Sequence, residues 1–345
     1  MLMLKNTRSI CIFHYDERET FMTTDGAEVK RRLLFLMKDV NLVNEYIRRF
    51  GFTINVKHIN EVKNSHIETK TKQQGPTSEK DPIFEVKVGC PVCGKNGIPC
   101  YELRAKSQQI VQNHFLVPIY TGANGYATEN YSMSSVTVCP ECLFASPDKK
   151  DFNRSSVSGS GEIRAQFSSS ILFSLKDKTE ERRSLLKPVV NFESYFKRPR
   201  SAKVATDSYR LAMARAQVEA WHELPYSYFK LGSYALKIAK IRKDDFQDDT
   251  DSLIEALGFF QEAFRTSDCP SEDLELQVIY LIVALMIRLD DLTQANSYLS
   301  VFSNLKNERI AEMKQDPRLK TDLIDKWHEK AKYLWEEREN PNLFD

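Results

Sequence analysis

Through the C-terminal part of the chain, apolar positions recur at three- and four-residue steps. Tyr209, Ala212, Met213, Ala216 and Ala220 fall on one helix face, and Tyr228, Leu231, Ala235 and Ile238 continue a second. Pro225 stands where a first-turn proline is tolerated. Further helical patterns cover residues 253–264, 274–289, 292–302 and 323–335. Short helices with short links and small residues at the crossings predict stacked helix pairs over residues 205–345.

Ahead of them the period changes to two. IFEVKVG, CYELRA, HFLVPIY and SSVTV predict strands of a small antiparallel sheet within residues 82–152, with turn-rich TGANGYATEN among them. Residues 153–204 read as a flexible, basic connector holding RSSVSGSGE, one amphipathic helix over 163–175, and FKRPRSAK. Residues 1–81 form an N-terminal segment. Positions 1–27 lack a clear period, 28–50 read as a helix capped by Gly51, 52–56 as one strand, and 59–81 as a polar linker. Met22 is an alternative start. The expected fold class is therefore α+β and multidomain: an antiparallel β module of the zinc-ribbon kind at 82–152, then an all-α domain.

The net charge of +1 is unevenly spread. The cysteine-bearing stretch is neutral, the connector basic and the helical part acidic, whereas a nucleic-acid binder concentrates positive charge on its reading domain. No apolar run reaches the roughly 18 residues of a membrane span. Lys5, Asn6, Thr7 and Arg8 interrupt what would be the apolar core of a secretory signal, so a cytoplasmic location is expected.

Seven cysteines, an odd number in a chain expected to be cytoplasmic, favour metal or redox chemistry over a disulfide framework. Four stand in two pairs, Cys90-Pro91-Val92-Cys93 and Cys139-Pro140-Glu141-Cys142. Two intervening residues let both sulfurs of a pair converge on one ion from a tight turn. Two such pairs supply a closed four-sulfur site, the structural type. Cys90, Cys93, Cys139 and Cys142 are thus the expected ligands of one structural zinc ion. Iron in a rubredoxin-like site is less favoured, because Leu143 replaces the second glycine of that pattern and 45 residues separate the pairs. Cys11, Cys100 and Cys269 are expected to pack as small side chains.

Other signals are weaker. Residues 89–95 match the opening of a phosphate-binding loop, but Asn96 stands where the magnesium-binding hydroxyl belongs. His222 and His328 sit beside tryptophans on helices, and the acidic run at 243–251 reads as a solvated loop. No triad order, HExxH or paired-carboxylate motif presents itself, so no catalytic residue is assigned.

The strings Cys90-Pro91-Val92-Cys93-Gly94, Val138-Cys139-Pro140-Glu141-Cys142-Leu143-Phe144-Ala145, Asp151-Phe152 and Tyr209-Arg210-Leu211-Ala212 carry a resemblance, continued by the helices at 274–302. Over residues 84–338 the chain resembles a bacterial family of uncharacterised proteins, domain of unknown function twenty-two twenty-five. Its pattern has glycine where Leu143 stands. The helical half also resembles tetratricopeptide repeats through Tyr228, Leu231, Gly232, Ala256, Phe260 and Ala263. These resemblances imply zinc and a protein-binding helical surface, and no reaction. The function expected is a non-catalytic interaction scaffold. A zinc-dependent nucleic-acid binder and a thiol or metal sensor or enzyme are the alternatives.

Overall fold

The computed structural model describes residues 79–344 except 156–160, 188 and 317, together with three strands within the first 23 residues. The chain divides into two compact units, residues 1–78 and 79–345.

In the first unit, β1 (Met3–Lys5), β2 (Ile10–His14) and β3 (Thr20–Thr23) form an antiparallel sheet in sequence order, with Met3 opposite Ile12 and Ile12 opposite Met22. These strands escaped the pattern reading because Ile10, Cys11, Ile12 and Phe13 are consecutively apolar and show no alternation. β-branched and aromatic side chains still favour the pleated backbone. The helix expected at 28–50, the strand at 52–56 and the linker up to residue 78 lie outside the described residues.

The second unit opens with antiparallel two-stranded ribbons. β4 (Ile83–Val88) pairs with β5 (Ile98–Leu103), and β6 (Gln108–Gln112) with β7 (Pro118–Gly122). β8 (Thr137–Val138) pairs with β9 (Ala145–Ser146), and β10 (Arg154–Ser155) with β11 (Glu162–Ile163). The expected strand at HFLVPIY begins only at Pro118, because Leu116 takes a left-handed φ of 58° and breaks it. β6 gave no signal, since its apolar residues Ile110 and Val111 are adjacent and exposed.

Nine helices follow among the described residues: α1 (Ser169–Asp177), α2 (Thr179–Ser184), α3 (Phe192–Tyr195), α4 (Ala202–Trp221), α5 (Ser227–Asp244), α6 (Thr250–Thr266), α7 (Glu272–Arg288), α8 (Leu292–Met313) and α9 (Asp322–Glu336). Side-chain oxygens of Ser168, Ser201 and Asp291 accept from the first-turn N–H groups of Ile171, Val204 and Gln294, fixing where α1, α4 and α8 begin. α7 is buried from Val278 to Ile287 on all sides, and α6, α8 and α9 pack around it. α4, α5 and α6 pack in chain order. Small α1–α3 occupy the span read as connector, where Arg182 and Arg200 are buried.

Two apolar cores run through this unit, and both draw on strands and helices. In the first, Val136, Val138, Leu143 and Ala145 join the residues of α4–α9. In the second, Cys90, Cys139, Cys142, Phe144 and Phe152 pack with Ile171 and Leu175 of α1 and Val218 of α4. Along residues 142–145 the side chains alternate between the two cores: Cys142 and Phe144 face one, Leu143 and Ala145 the other.

Gly232 of α5 lets the fully buried Phe260 ring of α6 approach, and a Cβ there would meet ring atoms at 2.7–2.9 Å. Gly258 of α6 has open space around the same position. Gly232→Ala is expected to lose about 1 kcal/mol of stability, overpacking outweighing the helix-propensity gain. Gly258→Ala is expected to gain up to ~1 kcal/mol. Urea unfolding of the two variants checks the opposite signs.

Candidate metal centre

The two Cys-Pro-X-Cys loops have the same backbone wiring. In the first, the Cys90 N–H donates to Lys95 O (2.8 Å) and the Gly94 N–H to Cys90 O (3.1 Å). In the second, the Cys139 N–H donates to Phe144 O (2.9 Å) and the Leu143 N–H to Cys139 O (3.0 Å). Both turns end on a left-handed residue: Gly94 at φ 78° and Leu143 at φ 58°. A non-glycine residue there costs roughly 1–2 kcal/mol. Leu143 is fully buried against the helical core, which offsets that cost. The position where this chain departs from the glycine pattern thus keeps the glycine's conformation and adds a packing contact.

The loops bring together the four sulfurs that the sequence singled out. The Sγ atoms of Cys90, Cys93, Cys139 and Cys142 all lie within 4.8 Å of one another. Cys90 and Cys142 sulfurs are 3.5 Å apart, as are those of Cys93 and Cys139. These separations bracket the edge of about 3.8 Å that a tetrahedron of thiolates around zinc requires at Zn–S ≈ 2.3 Å. The cysteines are unbonded to each other; Cys90, Cys139 and Cys142 are buried and Cys93 is exposed. A cluster of this kind could hold a metal ion.

Without a cation the thiols oppose each other's ionisation. Hydrogen bonding to Cys139 and Cys142, then burial, push the Cys90 thiol up. Cys139 is raised chiefly through Cys142, and Cys93 chiefly by burial. Cys142 is the group pulled down, as the acceptor from Cys139 and Cys90. One thiolate therefore forms at its neighbours' expense, and four need a positive ion among them.

Charge is also supplied from the span read as connector. Arg182 of α2 is buried and donates from Nε (3.0 Å) and Nη2 (2.7 Å) to the carbonyl of Cys142. Its Nη1 is buried with no partner among the described residues. Burial lowers its pKa, and the neighbouring Cys142, Cys90 and Cys139 oppose that. Arg183 donates to Glu141 O at 2.9 Å, and Lys95 pairs with Glu141 at 3.1 Å across the two loops. Only the helical period of residues 163–175 hinted at this support; nothing in the sequence linked Arg182 to the cysteines.

The remaining candidates lie elsewhere. Cys100 is buried on β5 and Cys269 is half-buried before α7, and neither joins the cluster; Cys11 lies on β2 of the first unit. His114 offers its carbonyl to the Tyr280 hydroxyl (2.8 Å), and its ring lies near Tyr333 and Phe344. His222 pairs with Ser174 at 2.9 Å, and His328 stacks on Phe302. In residues 89–95 the glycines serve the sulfur loop: Gly89 exchanges backbone hydrogen bonds with Asn153.

The family described as "Uncharacterized protein conserved in bacteria (DUF2225)" matches residues 83–329. The chain belongs to this family. No curated protein and no solved structure matches it. The matched stretch takes in both cysteine loops, Arg182 and most of the helices. Among the described residues, no DUF2225 helix here is long and apolar enough to cross a membrane.

Leu143→Gly tests the reading of the second loop. Glycine relieves roughly 1–2 kcal/mol of backbone cost, but removing the buried side chain costs about 2–5 kcal/mol. Net destabilisation is expected in chemical denaturation. A stabilised variant would show that backbone strain dominates at this turn.

Proposed function

We propose that Cys90, Cys93, Cys139 and Cys142 hold one structural zinc ion, and that the chain is a non-catalytic scaffold presenting its helices to a protein partner. The observation that carries this reading is the convergence of four sulfurs from two identically wired loops. A four-thiolate shell fills the tetrahedron and leaves no position for water or substrate, as in structural sites. Iron also accepts four thiolates; zinc is the ion proposed, given the long separation between the pairs. The zinc shell would be doubly negative, and the buried Arg182 guanidinium would neutralise part of it.

The division into a zinc-ribbon-like module at 82–152, a connector at 153–204 and a tetratricopeptide-like domain at 205–345 belongs to the same proposal. Its support is the chain-order packing of α4, α5 and α6, the Gly232–Phe260 approach, and the buried row Ala256, Phe260, Ala263. Stacked helix pairs build extended surfaces suited to peptides and proteins. The basic connector weighs against a nucleic-acid role, because Arg182, Arg183, Arg198 and Arg200 bond inside the chain. Arg198 pairs with Asp81 (3.1 Å) and Glu129 (3.3 Å), and Arg200 donates to Phe196 O and Val136 O. The exposure of Cys93 favours one second reading, a thiol or metal sensor attacked first at that sulfur.

Elemental analysis is expected to find one zinc per chain, with four thiols protected until chelator is added. Cys142→Ser should abolish retention, and Arg182→Met should weaken it by about 10–100-fold in chelator competition. Full retention by Cys142→Ser would refute the ligand set. Rapid zinc release by stoichiometric peroxide would favour the sensor.

Affinity capture with zinc-loaded protein, followed by hydrogen exchange of the complex, is expected to protect the helices of 205–345. No partner from a zinc-retaining preparation, or protection confined to 82–152, would count against the scaffold.

A further inference from the structure

A cavity of about 470 Å³ opens between one face of α5, one face of α7 and the 112–118 loop, with Arg215 of α4 on its wall. Tyr226, Lys230, Ser233 and Lys237 line it at helical spacing. Its rim is pre-formed. Asn113 Oδ1 accepts from the N–H groups of Phe115 (3.0 Å) and Val117 (2.9 Å). The Tyr280 hydroxyl holds His114 O, and Phe115 stacks on Phe344 at 5.0 Å. The volume falls within the roughly 300–1,000 Å³ of small-molecule sites.

The cations on its lining are paired with one exception. Buried Arg215 bonds to Asp151 and lies 3.4 Å from buried Glu219, which also takes Lys230 at 2.8 Å. Lys237 is half-buried and has no hydrogen bond or ion pair among the described residues. Among the described residues its Nζ lies over the Tyr209 ring, 5.7 Å from the centroid. Burial lowers its pKa, and no nearby carboxylate offsets this. A cation taken from water without a partner is costly, and an anion in the cavity would remove that cost. One unpaired cation calls for one negative charge, and Asp148 on the lining disfavours a second. Phe115, Phe229 and Leu281 supply apolar wall for the rest of such a molecule.

We propose that this cavity is a binding site for a small monocarboxylate with an apolar body, the carboxylate pairing with Lys237 and the body lying against Phe229 and Leu281. The site is independent of the metal centre and needs no reaction.

The test is calorimetric titration of the full chain with hydrocinnamate, on wild type, Lys237→Met and Lys240→Met. Lys237→Met keeps the apolar stem and removes the unpaired charge, so folding is retained; a thermal midpoint at or above wild type checks this. The proposal expects saturable one-to-one binding, weakened at least tenfold by Lys237→Met and unchanged by Lys240→Met. In wild type carrying isotope-labelled dimethyl-lysines, the Lys237 resonance should move on titration. No saturable binding to wild type, equal affinity in Lys237→Met, an unmoved Lys237 resonance, or equally tight binding of the matching amine would overturn it.

Discussion

Mutual repulsion among four sulfurs confined to one small volume governs this protein. Two loops separated by 45 residues aim their cysteines at a common point, and three of those cysteines are buried. In that setting each thiolate raises the barrier to the next, so the cluster is electrostatically incomplete by itself. A divalent ion held among the four would resolve the conflict. It would turn a destabilising concentration of titratable groups into a cross-link whose strength rivals the net stability of a domain, ~10–16 kcal/mol in small zinc peptides against roughly 5–15 kcal/mol.

The surroundings are arranged around the four sulfurs. Phe144 packs edge-on to Phe152 at 5.1 Å beside the sulfurs, while its neighbours Leu143 and Ala145 enter the helical core. One short stretch thus joins the sulfur site to α4–α9. Arg182 closes the other side by bonding to the Cys142 carbonyl, bringing α2 to the same loop. Local order at the cysteines is therefore transmitted into both cores through packing, and the ribbons need little sheet of their own.

The cysteine cluster was legible in the sequence because Cys-Pro-X-Cys geometry is local: spacing alone makes the sulfurs of each pair converge. The helices from 205 onward were legible for the same reason, since their apolar faces repeat within each element. What escaped depends on tertiary context. Leu143 looked like a departure from the pattern, yet it adopts the left-handed turn because burial offsets the strain. β6 lacks a buried face and so lacks a period. Arg182 carries an ordinary charged-helix signature, and only the fold brings it to Cys142. The cavity beside Lys237 joins residues from α4, α5, α7 and two loops, a combination with no sequence signature.

Zinc-edge X-ray absorption on the purified full chain bears most directly on the central claim. The account predicts a single shell of four sulfur ligands at about 2.3 Å. A first shell containing nitrogen or oxygen, or a protein purified with zinc present that holds no metal, would contradict it.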